Sequence, residues 1–501
     1  MKQATKEFLN EIDKLSYERI SQIRSTADDI TVSGKSYYVS ADGNDENDGL
    51  TPETAWKSLK KVSEYPLEKG DAVRFRRGDI FRGQVVTHPY VTYCAYGEGE
   101  KPRIYAWDYD LADPSLWEIY DAEHNIWHLK GKILDCGTLV FNHGELHSEK
   151  MIPSYRKGAF VCRNNIDKPF VMAEEMKNDL DMFSPYDERT STQPSKGEDF
   201  PIPELDNKSF GDLYLRCDRG NPGEVFDSIE ALVRRKIFDL NHDNGIHIDN
   251  LCLKYTGDHA IGGWSVSLDD IHVTNCEIGW IGGSIQNYGG TDPNFPQDPR
   301  GSVTRYGNAI EIYGGCDNYL VDNCYIYQVY DAGITHQIGT GGIKHVMKNV
   351  RYVNNVIEYC VYSIEYFLEK DGGDTESYMD DIVIENNILR LSGYGWGQQR
   401  HNFYTPAHIK GWSYENTASN FRIANNIFDR AAYRMIHIVA LEEASMPVMS
   451  GNTYIQKVGL SLGQFGANCV EEPENMVFDE NVEHKIANKL GEKDANVYYI
   501  K

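Results

Sequence analysis

Between residues 240 and 456 the chain repeats one phrase, in which apolar and polar positions alternate up to an asparagine and resume after it. The copies read IHIDNLCL, IHVTNCEI, YLVDNCYI, RYVNNVIE, IVIENNIL and FRIANNIF, with a weaker last copy in PVMSGNTYI. Aligned on Asn250, Asn275, Asn323, Asn355, Asn387, Asn426 and Asn452, they are spaced by 25, 48, 32, 32, 39 and 26 residues. A basic unit of roughly 25 residues with insertions of variable length is a solenoid signature. Each unit is alternating and β-branched, with no 3.6-residue period, which excludes helical repeats. Leucine-rich repeats need fixed leucines, and these are absent. The pattern predicts an all-β solenoid, a parallel β-helix with one coil per repeat and strands stacked about 4.8 Å apart. The asparagines fall where a coil bends, a place that favours the left-handed conformation. Cys252, Cys276 and Cys324 follow and read as small hydrophobes facing inward.

The rest of the chain is organised around that array. Phe8, Ile12, Leu15, Ile20 and Ile23 recur near helical spacing, which predicts one amphipathic helix over residues 5–24. Its expected place is over an open end of the solenoid, as an N-terminal capping helix. Residues 37–135 alternate short β-rich runs with turn signals, while 140–210, rich in Met, Pro, Asp and Ser, reads as a long excursion or a small insertion. The expected domains are the cap and linker over 1–36, the β-helix over 37–470 and a C-terminal coil and polar tail over 471–501.

Coil positions superpose in such a fold, so residues far apart in sequence form one stripe. Aligning Ile261, Ile310, Ile334, Ile364 and Ile436 on a second strand places Gly262, Glu311, Thr335, Glu365 and His437 in one outward column. Asp258 and Asp331 lie just before that strand. Glu311 and Glu365 are two coils apart on this alignment, about 9–10 Å along the stack, with Asp331 on the coil between. Acid–base catalysis by a pair of carboxyl groups needs one protonated and one ionised, and crowded carboxylates produce that split because like charges oppose double ionisation. Asp331 and Glu365 are the first candidates for the catalytic pair and Glu311 the third. Candidates for holding substrate are His336 and Gln337, the rings of Tyr366, Trp396 and Trp412 in or beside the presumed groove, and, as weaker ones, His259, His401, His408 and His437. Insertions at 286–308, 368–381 and 393–420 are expected to wall one face of the stripe.

Charge and composition narrow the partners. With 50 Lys+Arg against 76 Asp+Glu the net charge is −26, which repels nucleic acid. No apolar run is long enough to span a membrane. The ten cysteines form no CxxC pair and the start carries no apolar signal segment, so the expectation is a cytoplasmic protein with reduced thiols. A cytoplasmic enzyme meets imported oligosaccharides, which points to exo action. No compact metal-ligand spacing is present, and no cofactor is expected. The turn DGNDENDG places Asp42, Asn44, Glu46 and Glu53 at EF-hand-like positions, but Asn47 stands where the glycine belongs; it reads as a polar turn, with structural calcium as the alternative. Oligomeric state stays open.

YYVSADGNDENDGLTPETAWKSLKKV (37–62), GDAVRFRRGDIFRG (70–83), AYGEGEKPRI (95–104), NPGEVFDSIE (221–230) and the asparagine coils together resemble right-handed parallel β-helix carbohydrate-active proteins of the pectate-lyase-like superfamily. The resemblance spans roughly 37–456 and is nearest to β-helix glycosidases such as glycoside hydrolase family 141, a family with fucosidase and xylanase activities. It implies the fold and suggests a glycosidase; fold alone does not set function. Two rivals stand beside it. A polysaccharide lyase acting on uronate-containing glycans would use a Lys or Arg base, for which Lys344, Arg351, Arg400 and Lys410 lie in suitable coils. A non-catalytic carbohydrate-binding β-helix would follow if Asp331 and Glu365 pointed apart.

Overall fold

A computed structural model describes the chain except residues 132, 152–172, 185–211, 266, 289–302, 340–341, 371–375, 401–405, 413–414 and 468–472. Three long sheets run the length of the molecule, and successive strands of the chain visit them in turn. Sheet I has ten strands, from Ser36–Val39 to Val448–Ser450; sheet II has eleven, from Ile80–Arg82 to Asn496–Ile500 and the N-terminal Lys2–Gln3; sheet III has ten, from Val85–Val86 to Ser461–Ala467 and Met476–Val477. Neighbours within them pair in parallel, apart from the last two strands of sheet III. This is a right-handed parallel β-helix, and its interior is one continuous core of stacked Ile, Val, Leu and aromatic side chains.

The bends between sheets I and II explain the recurring asparagine, with one correction. Register aligns Asn250, Asn275, Asn323, Asn354, Asn386, Asn425 and Gly451, all at φ between 53° and 65°. Asn355, Asn387, Asn426 and Asn452 occupy the next position, beside Leu251, Cys276 and Cys324. The repeated phrase therefore merged two columns, because doubled asparagines (NN) allow either alignment. The second column is a buried amide ladder. Asn355, Asn387 and Asn426 each donate their backbone and side-chain N–H to the Oδ1 of the next asparagine at 2.9–3.1 Å. Asn452 donates in the same way to Glu492, at 2.8 and 3.0 Å. Cys276 and Cys324 face inward, but Cys252 pairs with Glu277 in sheet II and lies on its outer face. The eight described cysteines are unpaired and buried.

The N-terminal helix, Lys6–Arg24, lies along the outer face of sheet II instead of over an end. Its Ile20 and Ile23 pack on Tyr325, Val356 and Ile388, and its Ile12 packs on Ile455 several coils away. Arg24 forks onto Glu277 at 2.8 and 3.0 Å, and Asp13 pairs with Arg390. The apolar stripe of the helix thus buries against a sheet face. At the far end Lys2–Gln3 pairs with Asn496–Ile500, so the residues read as a polar tail finish inside sheet II.

The excursion begins earlier than composition indicated. Trp117–Asp121, Ile126–Leu129, Glu149–Lys150, Asp181–Phe183 and Tyr214–Arg216 form a separate five-stranded sheet, whose Trp117, Leu129, Met182 and Leu215 join the solenoid's apolar core. It is tied back by the buried ion pair of Lys150 with Asp135, at 2.5 Å. A hairpin, Ser284–Tyr288 with Val303–Tyr306, is inserted between sheets II and III. No helix among the described residues is long and apolar enough to cross a membrane.

Candidate active site on sheet III

Register bears out the outward column and adds Asp239, Lys410 and Gln464 to it. Asp239, Gly262, Glu311, Thr335, Glu365, Lys410, His437 and Gln464 follow one another across sheet III. Lys410 belongs to the strand Ala407–Gly411, whose Ile409 anchors it like the other isoleucines. The segment 393–420 had been read as insertion throughout, so His437 lies two coils from Glu365 and not one.

The structure divides the three carboxylates between two clusters. In the first, Glu365 is 5% exposed. Its Oε1 accepts the indole N–H of Trp412, and its Oε2 accepts Gln337 Nε2–H at 2.8 Å. Burial, and then the nearby charge of Asp331, push its carboxyl up to about 8, against the lowering influence of Arg400, Trp412 and Lys410. Asp331 forms an ion pair with Arg400, whose guanidinium also lies over the Tyr362 ring at 5.3 Å. Lys410 stands 3.7 Å above the Trp412 ring and 3.1 Å from His437 Nδ1. Burial, with Lys410 beside it, pushes His437 down to about 2, so it is neutral near pH 7.

In the second cluster Glu311 Oε2 accepts Asn308 Nδ2–H at 2.6 Å, and Oε1 lies 3.3 Å from His259 Nε2. The backbone N–H of Asn308 donates to His259 Nδ1 at 3.0 Å, which leaves the imidazole proton on Nε2, facing Glu311. Asp258 lies beside them; its burial raises it, but His259, Lys236 and Arg234 together hold it below the ordinary aspartate value. Thr335 separates the two clusters in the column; it is fully buried and its hydroxyl has no hydrogen-bond partner among the described residues.

Three residues read as substrate contacts lie elsewhere. His336 and Tyr366 point into the solenoid. The ring of His336 meets Tyr352 OH at 2.9 Å and stacks on Tyr366 at 5.4 Å, and burial pushes it down to about 3. Alternation explains the correction: with Ile334 inward and Thr335 outward, residue 336 must face in. Trp396 is buried against Tyr330, and its indole N–H donates to Gln328 O at 2.9 Å, so it anchors the Trp396–Gln399 turn that leads to Arg400. His408 is buried with Ser363 and stacks on Phe428, and His401 lies outside the described residues. Of the bases named for a lyase, Arg400 and Lys410 fall in the first cluster. Lys344 pairs with Glu376 and Arg351 with Asp381, away from it. Asn308, Lys236 and Asp239 were missed; Asn308 had a signal, standing three residues before Glu311 and just ahead of the same strand.

At the opening turn, Asp42 pairs with Arg76 at 2.7 Å, and Asn44 accepts the backbone N–H of Glu46 at 3.1 Å. Among the described residues no group of three His, Cys, Asp or Glu is arranged to hold a metal ion.

No protein-family model and no curated protein sequence matches this chain. Among solved structures it is similar to a GH136 lacto-N-biosidase from Eubacterium ramulus at 12% identity and a TM-score of 0.34, covering 99% of this chain and 71% of that one. A structure described as a glycoside hydrolase is similar at 10% identity and a TM-score of 0.42, over 87% of this chain and 96% of that one. A rhamnogalacturonan lyase is similar at 11% identity and a TM-score of 0.36, over 84% and 74%. Likeness this distant does not bear on the chemistry, which rests on the side chains above.

Proposed function

We propose that the protein is a glycoside hydrolase acting on oligosaccharides, with Glu365 as general acid and Asp331 as nucleophile or base. The observation that carries this reading is the unequal pair itself. Glu365 is a buried carboxyl pushed up to about 8, and Asp331 beside it forms an ion pair with Arg400. One protonated and one ionised carboxyl is the arrangement glycosidic cleavage requires. Glu311, bound to His259 and Asn308, takes the role of a substrate-hydroxyl contact, with Gln337 doing the same beside Glu365. Exo action is supported by a wall. Gln399, next to Arg400, donates to Ser148 O at 2.8 Å and accepts the backbone N–H of Lys150 at 3.1 Å, so the inserted module closes one side of the cluster.

The test is hydrolysis of a panel of aryl glycosides and oligosaccharides, followed by reducing-end release and by absorbance of unsaturated uronate. Sugar release that falls by roughly 100-fold or more in both Asp331→Asn and Glu365→Gln supports the reading. Internal cuts in a polymer would overturn exo action. A lyase is the second reading, favoured by Lys410 and Arg400 standing in the same cluster. It predicts unsaturated product that survives both carboxylate variants and is lost in Lys410→Met.

A further inference from the structure

Three segments that the carboxylate clusters do not use, YYVS, AVRFRRG and AYGEGEKP, meet on the outer face of sheet I at the first coils. There Ser36–Val39, Ala72–Arg76 and Thr92–Tyr96 are neighbouring strands. The linker after the N-terminal helix crosses over them. Asn250 Nδ2 reaches Thr26 O at 3.1 Å and Asp28 at 2.6 Å, and Arg77 forks onto Asp28 at 2.8 and 2.9 Å. Between linker and sheet lies an open cavity of about 730 Å³, walled by Tyr38, Arg74, Tyr96 and the turn Gly97–Gly99. That volume falls within the range of small-ligand sites.

The charges in this wall are unequal. Arg76 pairs with Asp42 and Asp79, and Arg77 with Asp28. Arg74, between them and the linker, donates Nε–H to Ser36 Oγ at 3.1 Å and Nη2–H to Ile30 O at 2.9 Å, and among the described residues no carboxylate pairs with it. Two of its five N–H donors are therefore used, both by neutral oxygens. In a chain of net charge −26, a half-buried guanidinium left without a carboxylate at a cavity wall selects an anionic group. Beside it the rings of Tyr38 and Tyr96 meet edge to face at 4.9 Å and offer apolar surface of the kind that packs against the C–H face of a sugar. Asp28 is already occupied by Arg77 and Asn250, and Glu98 is exposed at the rim.

We propose that this cavity is a second ligand site, separate from the carboxylate clusters, and that it takes a sugar bearing a carboxylate, with Arg74 on the carboxylate and Tyr38 and Tyr96 against the ring. The choice of a sugar rests on the glycosidase reading; the anion rests on Arg74.

The test is calorimetric titration of the full-length Glu365→Gln protein with galacturonate, galactose and inorganic phosphate. Galacturonate is expected to bind, at least about ten-fold more tightly than galactose or phosphate. Adding Arg74→Gln or Tyr38→Leu should weaken it about ten-fold, with Arg74→Lys restoring part of the loss and thermal midpoints unchanged. Equal binding of galactose overturns the anion, and equal binding of phosphate overturns the sugar. Binding that persists in Arg74→Gln and vanishes in Asp331→Asn places the ligand on sheet III and refutes a second site, as does no binding at all. Arg74→Gln alone should leave hydrolysis of a short aryl glycoside unchanged. If no glycoside is cleaved but the Arg74-dependent titration holds, the function proposed above fails and this site stands.

Discussion

At the scale of single residues, the chemistry turns on how differently two neighbouring carboxyls are housed. Glu365 keeps its proton to about pH 8, well past the point where an unfolded glutamate loses it. Its folded value is raised, so the contribution to stability falls as pH rises from the ordinary glutamate value to about 8, and Glu365→Gln should remove that slope from a denaturation series. With Glu365 as the proposed general acid, the same proton is expected to give the pH–rate profile its basic limb. The indole N–H of Trp412 favours the ionised form of Glu365, so Trp412→Phe should raise the carboxyl further and move the basic limb of kcat/KM to higher pH. A merely structural Trp412 would lower the rate without moving the limb. Column membership of Glu311 and Glu365 was legible from the isoleucine alignment, because strand period and coil stacking are both regular. Their division into two clusters was not, because it depends on where Asn308, His259, Gln337 and Trp412 direct their donors.

At the scale of elements, the asparagine ladder carries the bends on which every coil depends. Asn387 Oδ1 accepts from Asn355, while its own side-chain N–H reaches Tyr352 O at 2.8 Å and Asn426 Oδ1 at 2.9 Å, all inside the solenoid. Asn387→Ala leaves several of these groups without partners, at a cost of about 2–4 kcal/mol in urea denaturation. Asn386→Gly, at the adjacent left-handed position with φ 59°, should change stability by less than about 1 kcal/mol. The contrast tests which of the two columns is structural. Sequence periodicity located these bends to within one residue. It left the column open, because NN satisfies both the conformational and the hydrogen-bonding demand.

At the scale of the whole molecule, the N-terminal segment ties one end of the solenoid to its flank. Removing residues 1–24 would uncover Tyr325, Val356, Ile388 and Ile455 and leave Asn496–Ile500 as an open parallel edge. The expected result is a lower thermal midpoint and self-association, read by light scattering after size exclusion, since exposed apolar strips and unpaired edges recruit other chains. An unchanged monomer would show that the helix is dispensable. The fold class itself followed from sequence, because a parallel β-helix is built from a local pattern repeated at short period, and each copy declares its inward and outward faces without reference to the rest. So did the outward column, for the same reason. What only the tertiary structure decided lies between distant segments: the helix on sheet II, Arg400 on Asp331, and the linker roofing Arg74. Those contacts join residues separated by tens to hundreds of positions with no shared period, so their partners are chosen by packing and charge and not by pattern.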